Sequence, residues 1–149
     1  MRIVSLLLLG ALVCLPVFSQ TAERLDQVLS EDKLTVGSAA YIAAASGGVV
    51  GDGASPPEAL DALAELGFPA DTVELDDVIR LDRFAYMLML SYDRSGGIFY
   101  SLFPGPRYAL RELRHERVIR DGGDPNDPLS GSRGLRLVGR MLSIVEAEG

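Results

Sequence analysis

The chain has 149 residues, 21 Asp and Glu against 14 Lys and Arg (formal charge −7), one cysteine, one histidine and no tryptophan. So acidic a whole excludes a general nucleic-acid binder, and a single histidine leaves no polyhistidine metal site. The charge is also uneven: residues 20–93 hold fourteen acids and four bases, whereas residues 94–149 hold seven acids and nine bases.

Residues 1–19 read as a secretory signal peptide. Arg2 precedes a run from Ile3 to Val13 in which Ser5 is the one polar side chain, and Pro16 and small residues follow. Val17 and Ser19 fit the small-residue rule for cleavage before Gln20. Pro16 and the polar Ser19, Gln20 and Thr21 cut the run short of the ~20 apolar residues of a membrane span. The expected address is therefore export, to the periplasm or cell envelope. Cys14, the one cysteine, falls inside this segment, so the mature chain has no thiol or disulfide. The alternative is a lipoprotein with a lipid on Cys14, although Val13 stands where a small residue is expected. Only in that case is the membrane a partner.

Residues 20–149 are expected to form a single helical domain, long enough to bury about two-thirds of its unfolded surface. Leu25, Val28 and Leu29 give a short amphipathic helix. LTVGSAAYIAAAS (residues 34–46) follows, with Thr35 as N-cap and a helix-favouring Ala-rich body, and Gly47-Gly48 end it. Ser55-Pro56-Pro57-Glu58 opens the next helix with a capping box and proline in the first turn. That helix runs to about Leu66 and stops at Gly67 and Pro69. Asp76 or Asp77 is the expected cap of the central helix, IRLDRFAYMLMLS (residues 79–91). Its later part is apolar on every side and hence core. IFYSLF (residues 98–103) reads as a short strand or an aromatic loop. Gly105-Pro106 starts a helix to about Val118, residues 121–128 are loop by composition, and Ser130 caps a last helix to about Glu146.

The helices repeat. LTVGSAAYIAAAS, IRLDRFAYMLMLS and LSGSRGLRLVGRM begin at Leu34, Ile79 and Leu129, offsets of 45 and 50, with apolar first and ninth positions. PPEALDALAEL and PRYALRELRHE, from Pro56 and Pro106, share Pro, Ala, Leu and Leu in the same columns. The SGGVV and SGGIF loops lie 49 apart. One period in independent elements implies tandem helical units. The expected fold is all-α: three helix-loop-helix units, about 22–46, 56–91 and 106–145, around one core. The Gly-Gly loops are candidates for a very short strand pair.

These units resemble the S-layer homology (SLH) modules, most clearly over residues 107–142. The resemblance implies a helical scaffold and attachment to a cell-wall polymer. Where that family has Thr-Arg-Ala-Glu, however, this chain reads Thr35-Val36-Gly37-Ser38, Arg80-Leu81-Asp82-Arg83 and Ser130-Gly131-Ser132-Arg133. Only the hydroxyls of Thr35 and Ser130 carry over, and helix capping accounts for both.

No nucleophile elbow, P-loop or dinucleotide fingerprint is present, so the expectation is a non-enzymatic protein with no cofactor and no resident metal. Asp121, Asp124, Asn126 and Asp127 offer calcium-type oxygens, but turn chemistry explains the same residues. His115 reads as solvated helix surface. Arg107, Arg111, Arg114 and Arg117 recur at spacings of four, three and three, which aligns four guanidiniums on one helical face. They either pair with Glu112, Glu116 and the acidic first half or form a site for an anionic polymer. Tyr100, Phe103 and Tyr108 are the candidate sugar-stacking rings. The expected function is an exported envelope module that binds cell-wall polysaccharide or peptidoglycan; the alternative is a periplasmic or outer-envelope protein–protein adaptor docking through IFYSLFPGP.

Overall fold

Residues 15–149 are described by a computed structural model, with side chains from Gln20 onward. Residues 1–14, including Cys14 and most of the predicted signal segment, lie outside the described residues. The helices are α1 (Leu15–Ser30), α2 (Val36–Ser46), α3 (Pro56–Glu65), α4 (Leu81–Ser91), α5 (Ile98–Leu102), α6 (Pro106–His115) and α7 (Gly131–Glu148), with a 3-10 turn at Ala70–Thr72. Among the described residues there is no strand, only the isolated bridges Thr35–Val78 and Arg80–Pro128. The expected all-α class is observed; the strand pair from the Gly-Gly loops is not.

Local chemistry sets most boundaries. Thr35, Ser55 and Ser130 each accept a hydrogen bond from the third backbone N–H of the helix they open, and Glu58 closes the capping box on Ser55. At the other end, Gly67 takes φ +106° while Gly67 and Phe68 donate to the carbonyls of Ala64 and Leu63 at 3.0 Å. This is a Schellman stop, with Phe68 buried as its apolar anchor. Gly48, at φ +74°, ends α2 in the same way, with Val49 N–H on Ala44 O at 2.9 Å.

The start of α4, the form of residues 98–103 and the end of α6, at His115 instead of about Val118, differ from the sequence reading. α4 starts at Leu81 behind Arg80, which makes no side-chain cap; Asp77 instead accepts from Glu74 N–H at 2.8 Å and closes a turn upstream. Its first donors find partners far along the chain: Leu81 N–H bonds Asp127 O at 2.9 Å and Asp82 N–H bonds Pro125 O at 3.0 Å. Residues 98–102 are a single helical turn, with Ser101 N–H on Gly97 O at 3.0 Å and Phe103 N–H on Phe99 O at 2.9 Å. No strand lies beside them, and the buried Tyr100 pins the turn to the core.

The backbone entries to α2, α4 and α7 meet one another. Leu34, Ile79 and Leu129 are fully buried, and Thr35, Arg80 and Ser130 share an extended conformation with ψ between 154° and 159°. Leu34 N–H donates to Leu129 O at 2.6 Å and Ile79 N–H to Leu34 O at 2.9 Å. The first residue of each helix then reaches the loop before another: Val36 to Asp77 O, Leu81 to Asp127 O, and Gly131 to Glu31 O, at 2.8–2.9 Å. The circuit closes on itself and satisfies helix-terminal donors that would otherwise be buried without partners.

One apolar cluster runs from Val28 to Met141. Phe84, Ala85, Met87 and Leu88 of α4 are wholly buried within it, as the all-round apolar pattern requires. α2 packs on α3, α4 and α7, which explains its alanines: Ala39, Ala40, Ala43 and Ala44 have no exposed surface, and larger side chains would hold the three neighbours apart. The predicted short helix at the N-terminal end is the second half of α1, where Val28 is buried. α1 packs on α7, and Arg24 lies 4.7 Å above the Tyr41 ring of α2.

Candidate functional site

α6 presents Arg107, Arg111 and Arg114 along one face because Pro106 opens the helix and Ala109, Leu110 and Leu113 turn its opposite face into the core. Across from this face stands the segment around Pro125 and Asn126. It is held by the N–H groups of Leu81 and Asp82, and by the Arg114 guanidinium, which donates to Gly123 O at 2.6 Å. The space between is an open groove of about 750 Å³, with Leu110 among its lining and Phe99 and Tyr108 as its aromatic wall. The Phe99 and Tyr108 rings stack at 6.1 Å and 9°, and the Arg111 guanidinium lies 5.3 Å above Phe99.

Three guanidiniums and one carboxylate, Asp82, line this groove. Asp82 already has partners: Arg80 Nε donates to it at 3.1 Å and Arg83 N–H at 2.7 Å. The same bond holds the Arg80 guanidinium more firmly protonated. None of Arg107, Arg111, Arg114 and Arg117 makes an ion pair among the described residues. Pairing with Glu112 and Glu116 is therefore not what occupies them. Glu116 is bound instead by Arg94, at 3.0 Å, and Arg94 also takes Glu148 of α7.

No family model, curated relative or solved structure matches this chain.

The sequence-predicted site residues divide. Arg107, Tyr108, Arg111 and Arg114 come together in the groove. Phe103 is exposed, 6.4 Å from Tyr108, on the outer side of the aromatic cluster. Tyr100 is corrected: it is 6% exposed and meets Tyr86 edge-on at 6.3 Å. Burial pushes its phenol well above the ordinary tyrosine range, with Tyr86 adding to the effect, so it is a core residue and not a sugar platform. Arg117 is corrected as well. α6 ends at His115, and Arg117 adopts φ +62°, the left-handed position that glycine fills after α2 and α3. It lies past the end of α6 and does not line the groove; with Arg114 it borders a second depression near Ile119 and Arg120.

Asp82, Phe99, Leu110, Pro125 and Asn126 line the groove in addition to the residues expected to bind the polymer. At helical spacing residues 98–103 place Ile98, Phe99, Leu102 and Phe103 on one outward face, which is the signal that points to Phe99. The acids of the 121–127 loop are occupied by the loop itself and its neighbours. Asp124 accepts from Asn126 N–H at 2.8 Å and from its side-chain amide at 2.9 Å, and these bonds hold its carboxyl below the usual range. Asp127 accepts from Asp124 N–H at 2.7 Å, and Asp121 faces Arg140 at 3.6 Å. Among the described residues no three His, Cys, Asp or Glu side chains are grouped to hold a metal, and no helix is long and apolar enough to cross a membrane.

Proposed function

We propose that this chain is an exported, non-enzymatic module of the cell envelope that binds an anionic cell-wall glycan in the groove between α6 and the Pro125–Asn126 segment. The observation that carries the reading is the groove's lining: Arg107 and Arg111 without ion-pair partners, beside the stacked Phe99 and Tyr108. Guanidinium forks suit carboxylate and phosphate, and an aromatic face suits the apolar side of a sugar ring. An open site suits a polymer better than a small molecule, which needs enclosure.

We also read the scaffold as three helix-loop-helix units of the S-layer homology type. The closed hydrogen-bond circuit supports this, because its members are the same positions of each repeat: Leu34, Ile79 and Leu129, then Val36, Leu81 and Gly131. The N-terminal pattern of Arg2, apolar run and small residues supports export.

Purified cell walls should co-sediment the protein, and less of it as salt rises. Arg107→Ala plus Arg111→Ala is the cleanest variant, since Arg114 also ties the loop at Gly123. Two charge-assisted contacts at ~1.5–3 kcal/mol each imply a loss of at least about a hundredfold in affinity. Sedimentation that ignores both salt and the double substitution would sink the proposal.

A further inference from the structure

α5 leaves large apolar side chains facing solvent: Ile98 is 78% exposed, Phe99 53%, Leu102 64% and Phe103 62%. They share a single helical turn set between Gly96-Gly97 and Pro104-Gly105, with Tyr100 buried beneath it and the Phe99 ring stacked on Tyr108. Contiguous exposed apolar surface of this kind marks a site of interaction. Beside it Arg111 lies over Phe99, and Tyr108 packs between Phe99 and Phe103 with Arg107 next to it in the chain, while the one carboxylate at the base of the turn, Glu112, lies on the far side at Gly97 and does not line the groove.

We propose that the Ile98–Phe103 turn is a membrane-docking tip that inserts into an anionic phospholipid bilayer, with Arg107 and Arg111 on the headgroups. Charge complementarity selects this occupant. The chain carries a net charge of −7 and is repelled from an anionic surface as a whole, yet its most exposed apolar turn adjoins two unpaired guanidiniums. Apolar residues at the tip, aromatics at headgroup level and arginines against phosphates are the order of chemistry met on crossing a membrane surface. This surface goes beyond the glycan reading: Ile98 and Leu102 do not line the groove.

The test is sedimentation of the protein with vesicles of phosphatidylcholine, alone or mixed with phosphatidylglycerol, at rising salt. Binding is expected to the anionic vesicles, with at least tenfold less to the neutral ones, given ~1 kcal/mol per arginine near the surface. Ile98→Ser plus Leu102→Ser should lower anionic-vesicle binding on the order of a hundredfold, leaving thermal unfolding and cell-wall binding unchanged because both residues are exposed and outside the groove. Equal binding by the double variant, or equal binding to neutral and anionic vesicles, overturns the proposal. So does a wild-type dimer that the same pair dissociates, which would assign the face to a second copy of the chain. Loss of wall binding with vesicle binding intact would strike the glycan reading and leave this one standing.

Discussion

Gly131→Ala is expected to destabilise the protein by at least about 3 kcal/mol, near the top of what overpacking costs. Gly131 is the first residue of α7 and is buried, and a Cβ there would overlap the carbonyl oxygen of Val28. The obstacle is backbone, not a side chain that can swing aside, so α1 and α7 must separate. Separation also weakens the Gly131 N–H bond to Glu31 O, one of the links of the circuit among helix entries. The same helix supplies the control. Nothing lies within 4 Å of a Cβ added at Gly139, so Gly139→Ala should stabilise by up to about 1 kcal/mol through helix propensity alone. Urea unfolding reads both: the midpoint should fall by more than ~1 M for the first, at a slope typical of small domains, and rise for the second. Equal and small shifts would mean that α1 does not pack against the start of α7 in solution.

Phe84→Ala should cost about 3–5 kcal/mol. Phe84 is among the largest fully buried side chains, in the middle of the core helix α4, and its ring edge faces the gap left by Gly134 of α7. Its neighbours belong to different helices and cannot all relax into the cavity, which sets the cost toward the upper part of that range. Phe84→Leu should lose much less, since it retains most of the volume. Because α4 also holds the far wall of the groove through Leu81 and Asp82, the alanine variant should bind cell walls normally only below its lowered unfolding midpoint. A loss under ~1 kcal/mol would remove α4 from the centre of the core.

What the sequence discloses depends on how local the cause is. The starts of α2, α3 and α7 are written in Thr35, Ser55 and Ser130, because a capping oxygen bonds an amide three residues away. The start of α4 is not, since its first amides are satisfied by Asp127 and Pro125, more than forty residues on. Glycine stops after α2 and α3 are legible, whereas the stop after α6 needs a left-handed arginine that no spacing announces. In the site, the arginine periodicity brings three of the four predicted guanidiniums to one groove. The aromatic wall turns on one residue of phase: Phe99 faces the groove and Tyr100 the core, and since neighbours point apart in a helix and in a strand alike, spacing does not say which of the two turns inward.

Glycan binding by the groove on the face of α6 is the proposal on which the rest depends. Its most direct test is an amide-shift titration of the protein with soluble peptidoglycan fragments that carry free carboxylates. Saturable shifts should concentrate on Arg107, Tyr108, Arg111, Arg114 and Asn126 and be suppressed by Arg107→Ala plus Arg111→Ala. Shifts that instead cluster around Arg117 and Arg120, or none at concentrations that saturate cell-wall sedimentation, would contradict it.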